Sequence, residues 1–112
     1  MLAVGEHVLG ELEDRTIQMT TGLGGGVGLD YQDLCGAFLS GVLIIGAVYG
    51  RSSPDVNDSH CQEKVLAYRQ RFQSGFGSLI CGELRERKYG SSGEQPCSVL
   101  VEQAASILLE IL

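Results

Sequence analysis

Residues 34–49, Leu-Cys-Gly-Ala-Phe-Leu-Ser-Gly-Val-Leu-Ile-Ile-Gly-Ala-Val-Tyr, hold no charge and are interrupted among polar residues only by Ser40. No other stretch constrains the fold as much. The run falls short of the about 20 apolar residues that a membrane-spanning helix needs. It also contains the small residues Gly36, Ala37, Gly41, Gly46 and Ala47. A helix that is apolar on every side is a buried one, so this run predicts a central helix around which the other elements pack.

Those other elements read as helices too. Residues 2–12 place Val4, Val8, Leu9 and Leu12 along one helical face. A short helix is expected over 13–20, with Ile17 and Met19 as its apolar contacts. It stops at 22–28, where five glycines in seven residues deny a stable helix. Asp30, with Asp33 three residues on, reads as the N-cap of the central helix, and Gly50 as its end. A fourth helix is expected from Asp58 or Ser59, burying Val65, Tyr68, Phe72 and Phe76. Ser78 suits the cap of a short helix over 79–88, with Arg85, Arg87 and Lys88 near its C-terminal end. A loop at 90–93 and Pro96 precede a last helix over 97–112, with Val101, Ala104, Leu108 and Ile111 facing inward. No stretch alternates as a strand does. The expectation is a single all-α domain over 1–112, a small bundle of five or six helices around the apolar one.

Charge narrows the partners. Fourteen Asp and Glu against eight Lys and Arg give a net charge of −6. That balance, with its cations scattered, lacks the basic footprint of a nucleic-acid binder. The first residues carry no basic region ahead of an apolar core, so they do not read as a signal peptide. A cytoplasmic protein with neither nucleic-acid nor membrane partners is expected.

The four cysteines, Cys35, Cys61, Cys81 and Cys97, carry the functional information. In a reducing compartment thiols are catalytic or metal-binding more often than structural. Their wide spacing contains no C-x-x-C, which argues against a zinc ribbon, a thioredoxin-type site and c-type haem attachment. Cys35, Cys81 and Cys97 fall near expected helix N-termini, where amides and the helix dipole favour a thiolate. Cys61 stands one turn before Val65 and reads as packing. His7 has no cysteine near it in sequence; His60 and Cys61 could pair on a metal, but neighbours on a helix point roughly 100° apart, so both histidines read first as surface residues. The glycine-rich segment fits neither a dinucleotide fingerprint nor a Walker loop. It reads first as a close helix connection, and second as backbone amides lining a site. Of the thiols, Cys81 is expected to be the most acidic, since Arg85 follows one turn along its helix.

The string Gly22-Leu23-Gly24-Gly25-Gly26-Val27-Gly28, then Cys35-Gly36-Ala37, Gly46 and Tyr49-Gly50, resembles the central signature of the C_GCAxxG_C_C proteins. Phe72, Phe76-Gly77-Ser78, Cys81 and Leu84 resemble that family's next block, and Cys97 with the apolar helix after it resembles the last. The resemblance spans nearly the whole chain and implies a redox-active protein working through cysteines, without indicating a substrate. It carries over Cys35, Cys81 and Cys97. Cys61 has no counterpart, Ser40 stands where the motif has its last glycine, and no cysteine precedes Cys35. The sequence thus reads as lacking the family's N-terminal cysteine segment.

Three functions compete. In the leading one, two of Cys35, Cys81 and Cys97 exchange electrons as a dithiol/disulfide pair with a redox partner protein. In the second, the same three cysteines hold an iron–sulfur cluster or another metal. In the third, the chain is a non-catalytic helical interaction domain. A homodimer is expected, because so short a chain leaves part of its central or C-terminal helix uncovered.

Overall fold

The computed structural model describes residues 2–90 and 94–112. Six α-helices follow one another: α1 (Leu2–Leu9), α2 (Asp14–Met19), α3 (Gly36–Tyr49), α4 (Ser59–Phe76), α5 (Cys81–Arg87) and α6 (Cys97–Ile111), with a 3-10 turn at Thr21–Leu23. Among the described residues there is no strand, only the isolated bridges Leu34–Ile80 and Tyr89–Gln95. The fold is all-α, as the hydrophobic pattern predicts. No helix among them is long and apolar enough to cross a membrane. The loop expected at 90–93 lies, over 91–93, outside the described residues.

The centre is a three-helix unit in which α3, α4 and α6 pack against one another, with α1 laid on α3. From α3 come Phe38, Ile44 and Ile45, from α4 Tyr68 and Phe72, from α6 Leu100, Ala104 and Leu108, all buried. Aromatic rings knit the unit together. Phe38 stacks on Tyr68 at 5.6 Å between centroids and meets Phe72 edge-on at 5.5 Å. The series continues through Phe76, 4.5 Å from Phe72, to Tyr89. Such pairs add about 0.5–1.5 kcal/mol each beyond the area they bury. α3 and α4 approach closely because Gly41 faces the Tyr68 ring: a Cβ there would stand 2.4 Å from a ring carbon. The C-terminal carbonyls of α6 are satisfied from α3 and α4, by the Tyr49 hydroxyl donating to Leu112 O (2.9 Å) and Lys64 Nζ donating to Ile111 O (2.8 Å).

Four local expectations change. α1 ends at Leu9 because Gly10 turns left-handed (φ +82°), which leaves Leu9 exposed and Leu12 outside the helix. Met19 of α2 is 75% exposed and makes no core contact of the kind its apolar character suggests. α3 does not start at Asp30. Residues 25–29 all have φ between +58° and +68°, a left-handed stretch, and the helix begins only at Gly36 with Cys35 as its N-cap. On α6 the inward residue is Leu100, while Val101 is 50% exposed, because packing against α3 and α4 sets the helix phase. α3 itself is not covered all round: Leu43 and Val48 reach solvent.

Candidate functional site

Two backbone pairings bring distant cysteines together. Leu34 and Ile80 form an antiparallel bridge in which Cys35 N donates to Leu79 O (2.7 Å) and Cys81 N donates to Asp33 O (2.9 Å). Each cysteine directly follows a bridge residue and directly precedes or opens a helix, so α3 and α5 start side by side. The second bridge, Tyr89–Gln95, with Gln95 N donating to Lys88 O (2.9 Å), returns the chain after α5 and sets Pro96 and Cys97 at the start of α6. The helix over 81–87 is shorter than the expected 79–88. Ser78 Oγ accepts from Ile80 N (3.0 Å) in a turn of its own and is joined to the Glu83 carboxylate, and the helix begins after that turn.

The glycine-rich segment folds over these starts. Gly26 lies against Cys81, whose Cβ would be 2.6 Å from a Cβ added at that glycine, and its φ of +62° is one that side chains disfavour. Gly82 N donates to Tyr31 O (2.5 Å), tying the segment to α5. The segment is the close connection that its glycines suggest, and its Gly24 and Gly25 line a cavity.

That cavity, about 480 Å³, is where Cys35, Cys81 and Cys97 meet, together with Tyr31, Arg85 and the apolar faces of Leu84 and Leu100. Its size is that of a small-molecule pocket. All four cysteines of the chain are free thiols. Cys97 is exposed, Cys35 half-buried and Cys81 buried at 8% exposure. Cys61 stands apart, buried in the core on α4.

The electrostatics differ between the thiols. Burial pushes the Cys35 thiol up; the Phe38 and Ala37 amides at the start of α3 pull the other way, and Cys97 adds a further upward push. Burial likewise pushes the Cys81 thiol up, as do Cys35 and Cys97, while the Arg85 guanidinium draws it down. The helpful cation is where the sequence places it, one turn after Cys81. Against the expected acidity, the Cys81 thiol is pushed up, with burial the largest cause. Tyr68, whose hydroxyl lies 3.5 Å from Ala37 O, is held protonated by burial and by Cys35.

One family model, described as "Putative redox-active protein (C_GCAxxG_C_C)", matches residues 1–111. The chain belongs to the C_GCAxxG_C_C family. No curated protein and no solved structure matches it. Cys35, Cys81 and Cys97, the cysteines that the sequence resemblance singles out, line the cavity, and Cys61 does not. Among the described residues no three His, Cys, Asp or Glu side chains are grouped to hold a metal ion. His60 packs its ring edge-on against Tyr49 at 4.8 Å and does not line the cavity. Sequence reasoning missed Tyr31, which stands outside any helix and gives no periodic signal, and Tyr68, read correctly as core but not as a neighbour of Cys35.

Proposed function

We propose that this C_GCAxxG_C_C protein is a thiol redox protein in which Cys97 and Cys35 cycle between dithiol and disulfide. The carrying observation is the convergence of three cysteines, separated by 46 and 16 residues (35 to 81, 81 to 97), on one cavity at the starts of three helices. In oxidation two thiols lose two protons and two electrons and form one S–S bond. Cys97 attacks first, since it is the exposed member of the group. Cys35 resolves: it is more open than Cys81, and the Ala37 and Phe38 amides assist its thiolate as it forms. Cys81 remains a buried thiol against the glycine-rich segment. A reducing, cytoplasmic compartment suits three free thiols in one site. The exposed Leu43 and Val48 of α3 and Val101 and Leu109 of α6 support pairing with a second copy of the chain.

The experiment is thiol counting across a dithiothreitol redox buffer, with metal analysis of anaerobically purified protein. Wild type is expected to lose two thiols in one reversible transition, and Cys35→Ser and Cys97→Ser to lose none. Stoichiometric iron with absorbance near roughly 400 nm would replace this reading by a cluster protein. Four thiols unchanged across the buffer would leave an interaction domain.

A further inference from the structure

The cavity has a charge pattern at odds with the molecule around it. The chain carries 14 acids and 8 Lys and Arg, yet Arg85 is the one charged residue among the described residues that line the cavity, and no carboxylate is among them. The guanidinium lies over the Tyr31 ring, 4.4 Å from its centroid, so the ring orients it. Gly90 leaves room for its stem, since a Cβ there would meet Arg85 Cγ at 2.8 Å. α3 and α6 both begin at the cavity with no acidic residue in their first turns; α5, the third helix to begin there, carries Glu83, which is joined to Ser78 and does not line the cavity. The dipoles of α3 and α6 add to the positive character that Arg85 supplies. The volume, about 480 Å³, fits a compound of small-molecule size and leaves no room for a folded partner.

We propose that the cavity takes a small anionic disulfide, carrying a carboxylate a few bonds from its sulfur, and that Arg85 selects it. The chemistry rests on the dithiol reading above; the charge selection does not. For a substrate X–S–S–X, the Cys97 thiolate attacks one sulfur, the substrate S–S bond breaks, and X–S⁻ leaves as a protein–X mixed disulfide forms. Cys35 then attacks Cys97 Sγ, breaks the mixed disulfide, and expels the second X–S⁻. The two protons given up by the cysteines equal those taken up by the two thiol products, and two electrons pass from protein to substrate.

The test uses three probes of one size class: dithiodiglycolate (anionic), bis(2-hydroxyethyl) disulfide (neutral) and cystamine (cationic). Rates at Cys97 are read by mass spectrometry and normalised to a small free thiol. Wild type is expected to favour the anionic probe over the cationic one by about tenfold, the scale of one partly screened charge contact. Arg85→Gln, which keeps much of the stem, should lose that preference, and Arg85→Lys should keep most of it. Equal rates for the three probes, or a cystamine preference as the net charge of −6 alone would dictate, overturn the proposal. An unchanged preference in Arg85→Gln overturns the role of Arg85. Iodoacetate against iodoacetamide, compared at Cys97 in the same variants, reads the charge selection without any disulfide chemistry. Charge selection without closure of the Cys97–Cys35 disulfide refutes the dithiol reading alone, and closure without charge selection refutes the ligand class alone.

Discussion

Cys35 and Cys81 hold their protons more tightly in the folded chain than thiols do in water, and burial is the largest cause for both. A thiol of raised pKa supports the fold fully at pH below its ordinary value of 9.0, and that support is lost as pH climbs from there through the raised folded value. The urea midpoint of wild type is therefore expected to fall as pH rises above about 9. A Cys35→Ala, Cys81→Ala double variant should show a shallower decline, and equal slopes would contradict the burial argument. The same physics divides the labour in the site. The two protected thiols stay protonated near neutral pH, which suits the resolving partner and structural neighbour of the proposed cycle, in which exposed Cys97 meets the substrate first.

At the scale of elements, the close approach of α3 to α4 depends on Gly41. Gly41→Ala would drive a methyl into the Tyr68 ring, where the nearest carbon stands 2.4 Å from the added atom. Overpacking of this kind costs about 1–3 kcal/mol. An unfolding free energy lowered by that amount, read from denaturant titration, is expected, and an unchanged one would mean that the two helices sit farther apart. The helices themselves were legible in the sequence because α3, α4 and α6 carry long, regular apolar patterns. What was illegible has physical causes. Val27, Leu29 and Tyr31 adopt positive φ that their side chains disfavour, so nothing local announced that the start of α3 would be postponed to Gly36. Leu100 and Val101 are adjacent and equally apolar, and only packing decides which faces inward. The three site cysteines could be picked out from their helix-start positions. Their meeting could not, because it is made by the Leu34–Ile80 and Tyr89–Gln95 bridges, pairings of single residues that leave no pattern.

Across the whole molecule, core and site adjoin. The aromatic series begins with Phe38, Tyr68, Phe72 and Phe76 on α3 and α4 and ends at Tyr89, which lines the cavity, as do the core residues Leu84 and Leu100. The apolar side chains left at the surface, 46% exposed at Leu43 and 50% at Val101, are expected to be covered by a second copy. Light scattering at micromolar concentration should return twice the chain mass of 12.0 kDa, and a monomer mass would count against the pairing. The central claim is that distant cysteines form one redox site while Cys61 stands outside it. It is tested most directly by mild oxidation with diamide, followed by a peptide map under non-reducing conditions. The account predicts an intramolecular Cys35–Cys97 disulfide, reversed by dithiothreitol, with Cys61 still a free thiol. A bond that includes Cys61, or a map with all four thiols unpaired, would contradict it.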